Sequence, residues 1–381
     1  MATVLAVNAG SSSLKFAAFA PGDPPLRRVT GSIDRIGQPA ATLTIDGGAR
    51  RDAAAPDHAA ALPLLVDALG ARDITVDAIG HRLVHGGPRF LAPTRVSGAL
   101  LEELRRISPF DPEHLPAEIA LIEACARHFP GRPQVACFDT AFHRDLPRAS
   151  RLLAIPRQYE AKGVWRYGFH GLSYAYLTRT LAREPGGLPA RLVIAHLGNG
   201  ASITAIRDGK SVDTTMAFTP TAGLPMSRRS GDLDPGLVAY LARTEGMTAE
   251  QFHEMVNTRS GLLGISETSA DVRDLLAREG ADVRAAEALA VFCQAVRKTI
   301  GAHAAVLGGL DALVFAGGIG EHGAVIRARV CEGLGFLGIV LDPARNAEHA
   351  ALISTGRVAV RVMRTDEEVE IATSTWEVLG S

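Results

Sequence analysis

The chain has 381 residues, 47% of them hydrophobic and 21% charged, with 40 basic residues against 41 acidic ones and a formal net charge of −1. That balance argues against an electrostatic grip on nucleic acid or an anionic membrane, and no apolar stretch reaches the roughly 18 residues of a spanning helix. Scattered cysteines (Cys125, Cys137, Cys293, Cys331) without a C-x-x-C pair speak against a disulfide framework and a cysteine zinc site. A cytoplasmic protein of two domains is expected, with a substrate cleft between them and neither nucleic-acid nor membrane partners.

From the N-terminus, Thr3 to Asn8 predicts a strand, stopped by Asn8-Ala9-Gly10-Ser11-Ser12-Ser13, and Leu14 to Phe19 predicts the strand that returns. The turn gathers bare backbone N–H groups, three hydroxyls and Lys15, one of only four lysines. That is equipment for phosphate oxygens without a Walker loop; an ordinary hairpin turn is the plainer alternative. Leu26 to Ile33 continues as a strand. The strand Ala78 to Val84 leads into Gly86-Gly87 and carries His81 and His85 four apart. On a helix that spacing would suit a metal; on a strand both face one side, and structural roles are expected. Arg82 in the same run suits bidentate capture of a carboxylate or phosphate. Helices are predicted at Ala99 to Ile107 and Pro116 to Phe129, then a strand, Gln134 to Phe138, that delivers Asp139 to a loop. From Asp139 to Gly171 no strong pattern survives, so a domain junction is expected there. Within it Tyr167-Gly168-Phe169-His170-Gly171 sets a histidine between an aromatic and a glycine.

Arg191 to His196 then repeats the opening device: a strand, a turn Leu197-Gly198-Asn199-Gly200-Ala201-Ser202, a returning strand Ile203 to Arg207 and a third at Ser211 to Met216. An internal duplication of a β-β-β-α-β-α unit explains the recurrence. Arg228 and Arg229 follow in a small-residue loop, Pro225 to Gly231. Helices are predicted at Asp271 to Glu279 and Arg284 to Leu307, and strands at Ala312 to Phe315 and Val358 to Met363. Gly318 to Gly323 fits G-x-G-x-x-G literally. A dinucleotide fold would read it as a dehydrogenase site with Asp342 as ribose partner, yet that leaves both hairpin turns unexplained. A glycine-rich strand-to-helix turn equally receives an adenosine face. Thr365-Asp366-Glu367-Glu368 opens a last helix, Glu368 to Leu379, as a cap or as Mg²⁺ ligands.

Taken in order, Asn8 to Lys15, Gly80 to Gly87, Phe138 to His143, Tyr167 to Ser173, His196 to Ser202, Phe218 to Gly236, Ser269 to Asp274, Gly317 to Glu321 and Thr365 to Glu368 resemble the acetate kinase family along its whole length. The resemblance implies an α/β fold of two duplicated ribonuclease-H-like (actin-like ATPase) domains flanking a nucleotide cleft, and a homodimer. It sets the domains at 1–145, completed by a C-terminal helix 369–381, and 146–368, the second carrying most of the ATP site and the dimer interface. The implied activity is reversible, Mg²⁺-dependent transfer of the γ-phosphoryl of ATP to acetate. Propionate or butyrate is the alternative acceptor and Mn²⁺ the alternative metal.

Carried over by position, the resemblance makes Asp139, His170 and Arg229 catalytic. It gives acceptor contacts to Arg82, Lys15, Val84, Phe110, Phe169 and Pro220, and the metal side to Asn8 and Glu367. Nucleotide contacts fall to Ser11, Ser13, His196, Leu197, Gly198, Asn199, Gly200, Asp271, Val272, Arg273, Gly318, Ile319, Gly320, Glu321 and His322. Four departures stand out: Phe110-Asp111-Pro112, Gly171-Leu172-Ser173-Tyr174, Ser227-Arg228-Arg229 and the His322 that ends Gly-Glu-His. The first removes a family histidine, with Asp111 and His114 left as stand-ins, and Phe110 is expected to narrow the acyl pocket toward acetate. A gated nucleotide binder of the actin or chaperone kind is the third reading beside kinase and dehydrogenase.

Overall fold

The computed structural model describes residues 3–10, 12–38 and 40–380; Ser11, expected in the phosphate turn, lies outside them. The chain divides into two compact units: Met1–Arg144 with Gly171–Tyr176 and Asp366–Ser381, and Asp145–His170 with Leu177–Thr365.

The first unit is built on strands β1 (Val4–Ala9), β2 (Ser13–Ala20), β3 (Leu26–Asp34), β4 (Thr42–Ile45), β5 (Arg51–Asp52), β6 (Ala78–Leu83), β7 (Thr94–Arg95) and β8 (Gln134–Phe138), in the order β5-β4-β3-β2-β1-β6-β8-β7. Every residue of β1 is buried, because both faces of this central strand are covered. Alternation sends Leu5, Val7, Leu14 and Phe16 to one layer, and Val4, Ala6, Ala17 and Phe19 to the other. Helices α1 (His58–Gly70) and α3 (Leu115–His128) cover the first layer. The C-terminal helix Glu367–Gly380 covers the second with Ile371 and Ala372. Its close approach needs Gly80, where a Cβ would overlap the Thr375 hydroxyl and Ile371. Helix α2 (Gly98–Ile107) is started by Ser97, whose Oγ accepts the Leu100 N–H.

The second unit carries β9 (Arg191–Leu197), β10 (Ala201–Arg207), β11 (Lys210–Thr214), β12 (Ala312–Ala316) and β13 (Ala359–Val362), in the order β11-β10-β9-β12-β13. Its helices are α4 (Arg148–Arg151), α5 (Gly171–Ala182, whose first half, Gly171–Tyr176, counts with the first unit), α6 (Gly236–Glu245), α7 (Ala249–Thr258), α8 (Gly261–Ser266), α9 (Val272–Arg278), α10 (Val283–Leu307), α11 (Gly317–His322), α12 (Ala324–Cys331) and α13 (Pro343–Ala347). The long α10 packs on β9 and β10, capped by Asp282 at its start and by left-handed Gly308 at its end.

The duplication is plain in the pairing. β1 runs antiparallel to β2 and parallel to β6, which runs parallel to β8; β9 stands in the same relations to β10, β12 and β13. A dinucleotide fold is thereby excluded for the Gly318 turn: its strand β12 lies in a sheet whose other half, β9-β10-β11, is antiparallel. One local expectation is corrected. β6 ends at Leu83, so His85 lies beyond the strand and does not share a strand face with His81. His81 bonds Gln134 (2.6 Å), whereas His85 Nδ1 accepts the Gly87 N–H and its ring meets Phe110 edge-on.

Candidate active site

In the first unit the chemistry gathers at the C-terminal ends of the parallel strands β1, β6 and β8, where ligands of such sheets bind. Asn8 ends β1; its Nδ2 donates to Glu367 Oε2 (2.9 Å) and Glu368 Oε1 (3.0 Å) at the start of the C-terminal helix. Asp366 is the cap itself, accepting the Val369 N–H at 3.2 Å. Lys15 lies opposite Asn8 in the β1–β2 register and its charge acts on Glu368, whose carboxyl burial and Glu367 push above its ordinary value. Ser13 belongs to the same hairpin and its carbonyl accepts the Gly10 N–H.

Arg82, near the end of β6, donates Nε and Nη2 to Asp139 Oδ2 (3.1 and 2.6 Å) and Nη1 to the Ala9 carbonyl (2.8 Å). Burial works against its charge, but Asp139, Glu118 and Glu367 hold the guanidinium well above its usual range. Asp139 follows β8 and is almost wholly buried; burial pushes its carboxyl up against the pull of Arg82, and its Oδ1 has no hydrogen-bond partner among the described residues. Arg82 is therefore already engaged by a protein carboxylate 57 residues away in the chain, a pairing that no local pattern reveals. Beside it, His114 Nδ1 bonds Asp111 Oδ1 at 2.8 Å. Of the two stand-ins for the family histidine, His114 is the one whose charge acts on Asp139. Val84 is buried and Phe110 half-buried against His85.

In the second unit His170 sits at the N-cap of α5 with left-handed φ of 58°, its Nδ1 2.8 Å from Ser202 Oγ and its ring stacked on His196 at 4.3 Å. Gly200 lies against both predicted cationic groups: a Cβ there would stand 3.2 Å from His170 Nε2 and 3.8 Å from Arg229 Nη1. Arg229 also donates to the Pro220 carbonyl (3.3 Å), while Ser227 N–H reaches the Asn199 carbonyl (3.3 Å). The structure thus brings His170, His196, Asn199, Gly200, Arg229 and Pro220 into one neighbourhood; Phe169 beside them is buried. Gly198, Gly200 and Gly318 keep bare backbone, and over Gly318 there is open space.

Other predicted nucleotide residues have structural duties. Leu197 and Val272 are buried side chains, so only their backbones can meet a ligand. Glu321 Oε1 accepts the Gly317 N–H (3.1 Å) in the first turn of α11. Asp271 caps α9 and pairs with Arg273 (2.6 Å). Ile319 and Gly320 lie in α11 with His322, whose ring meets His349. The residues not singled out from sequence are Ser202, Glu118 and the wholly buried Arg327, which donates to the Gly320 carbonyl at 2.7 Å and to Asn346. Glu118 had a signal: it interrupts the apolar face of Leu115, Ile119 and Ile122.

The paired sheets and the residues at their strand ends define a phosphotransferase of the actin-like ATPase superfamily. Residues 3–373 match the Acetokinase family. The chain is 44% identical over 391 residues to an acetate kinase from Geobacillus sp. (strain WCH70), covering 98% of each. Among solved structures it is similar to the acetate kinase of Porphyromonas gingivalis (TM-score 0.90, 35% identity, 100% of both chains) and to a propionate kinase from Francisella tularensis subsp. tularensis SCHU S4 (TM-score 0.94, 35% identity, 99% of this chain and 100% of that one). The chain belongs to the acetokinase family, kinases that place phosphate on a carboxylate.

Proposed function

We propose that this chain transfers the γ-phosphoryl of ATP to acetate, reversibly and with Mg²⁺, giving acetyl phosphate and ADP, as a cytoplasmic homodimer. The observation that carries it is the pairing of Arg82 with buried, half-satisfied Asp139 at adjacent strand ends, beside Asn8 and two glutamates. Acetate, with a pKa of about 4 to 5, is an anion at pH 7 and needs no base. The barrier is repulsion between anions, and positioned cations lower it.

The labour divides by unit. In the first, Arg82 holds the acceptor carboxylate, Asp139 orients Arg82, and Val84 and Phe110 meet the acyl chain, with Lys15 and Ser13 on the phosphate side. In the second, Arg229 and His170 neutralise the transferring group, with Phe169 and Pro220 toward the acyl chain. The turns His196 to Gly200, Asp271 to Arg273 and Gly318 to His322 receive the nucleotide. Ser202 fixes the His170 ring through Nδ1, which sets Nε2 beside Gly200.

Asn8 and Glu367, with Glu368, are all hard oxygen donors and suit Mg²⁺ or Mn²⁺. Among the described residues no group of three or more His, Cys, Asp or Glu could hold a metal alone, which fits an ion that arrives with the phosphates. When bound it would neutralise phosphate oxygens. The dimer is supported by α6, which buries none of its residues while Leu237, Val238 and Tyr240 stand exposed. A cytoplasmic location is consistent with the absence, among the described residues, of any helix long and apolar enough to cross a membrane.

The test is hydroxylamine trapping of acyl phosphate with acetate, propionate and butyrate in parallel. Product is expected only when acid and Mg·ATP are both present, and most of it with acetate. The likeness to a propionate kinase structure keeps propionate as the second reading. Hydroxamate formed preferentially from propionate would select it.

A further inference from the structure

Glu118 is a buried acid that the proposed mechanism leaves unused. It lies in the first turn of α3, 4% exposed, where the helix face would take a hydrophobic residue. Both its oxygens face the Val84 N–H, at 3.2 and 3.1 Å, so it braces the backbone just past Arg82. It is also one of three carboxylates that hold Arg82 charged.

The groups around it are few. Helix α3 packs on α1, α2 and β6. Arg82 from β6, and Asp111 and His114 from the turn ahead of α3, act on Glu118. The other charged groups on those elements are engaged or exposed. His81 bonds Gln134, His58 bonds the Gly10 carbonyl, Glu103 binds Arg106 and Arg89, and Arg105 binds Glu123; Asp67 and Glu102 are exposed. Burial pushes the Glu118 carboxyl up to about 7, against the pull of Arg82.

We propose that Glu118 is a positioning residue of the acceptor site: it fixes the backbone at Val84 and shares the Arg82 charge, so that its loss of a proton weakens the hold on the acceptor carboxylate. A neutral Glu118 leaves more of the guanidinium charge to an incoming anion; an ionised one competes for it. Acetate stays ionised throughout the window, so the effect belongs to the protein. By reciprocity, bound acetate favours protonated Glu118.

The inference rests on the phosphotransferase reading, and the experiment separates the two. For the full chain, the KM for acetate is expected to rise about three- to tenfold between pH 6 and 8.5, the upper figure corresponding to one pKa unit of coupling. kcat and the KM for ATP are expected to change less than twofold. Glu118→Gln keeps a carbonyl for the Val84 N–H and should give a low acetate KM that no longer varies with pH; Glu118→Asp, which still titrates, should keep the dependence. The rise in Tm produced by acetate should be larger at pH 6 than at pH 8.5 in the wild type and equal at both in Glu118→Gln. Parallel pH slopes in wild type and Glu118→Gln would overturn the assignment, as would equal changes in the KM values for acetate and ATP. A wild-type chain that yields no hydroxamate from any short acid would instead sink the phosphotransferase reading.

Discussion

Asp139 concentrates the local conflict of the first unit, since it is buried, paired through one oxygen with Arg82 and unsatisfied at the other. If it orients Arg82, Asp139→Asn should keep substantial kcat while raising the KM for acetate. Arg229→Ala, which removes charge from the transferring group, should cost about 10³-fold or more in kcat. Steady-state kinetics on both variants decides the ranking, and equal losses would make Asp139 a direct participant. Two buried histidines of the first unit contribute to its acid sensitivity. Burial lowers His81 and His85 to about 4. Both stay neutral in the fold but protonate near 6.5 when unfolded, so their stabilising contribution is complete above pH 6.5 and is lost as pH falls toward 4. Each such shift is worth about 3 kcal/mol. Glu118 opposes them, because its raised folded value makes the native state bind the extra proton between about pH 4.5 and 7. Two groups outweigh one, so their combined effect is stability that rises with pH from 4.5 to 6.5, and Glu118→Gln should steepen that rise in urea titrations. Residue type and loop composition marked out Arg82 and Arg229 as candidates for carboxylate or phosphate. Burial and partners were not legible, because Arg82, Asp139 and Glu118 are separated by tens of residues and meet only through the sheet.

Among the elements, the strands were the most legible, since a continuous apolar run such as β1 or β12 is dictated by burial on both faces. Helix α1 escaped notice because Pro63 interrupts its pattern. Helix α6 escaped because its apolar residues face no core of this chain. The C-terminal helix was expected near Glu368 to Leu379, but its docking on β1 and β6 is tertiary information. That docking is testable at Gly80, where Gly80→Ala pushes a methyl into Thr375 and Ile371 and should cost about 1–3 kcal/mol, read from denaturant midpoints. Truncation after Arg364 removes the cover from Val4, Ala6, Ala17 and Phe19 and should leave the chain insoluble or protease-sensitive. A truncated chain that folds with unchanged stability would show the helix to be dispensable.

For the whole molecule, the proposed dimer predicts a solution mass near twice the 40.2 kDa of one chain by light scattering. Leu237→Asp with Tyr240→Asp should lower it to that of a monomer if α6 is covered by a second copy. The sequence by itself determined the duplicated α/β plan, the family and the residue types needed for phosphate and carboxylate, because burial periodicity and turn chemistry are local and recur in both halves. Only the tertiary structure decided that Asp139 holds Arg82, that Ser202 orients His170 and that Glu118 faces the Val84 N–H. Those outcomes depend on which strand ends lie side by side and on how deeply each charge is withdrawn from water, and neither quantity is written in neighbouring residues.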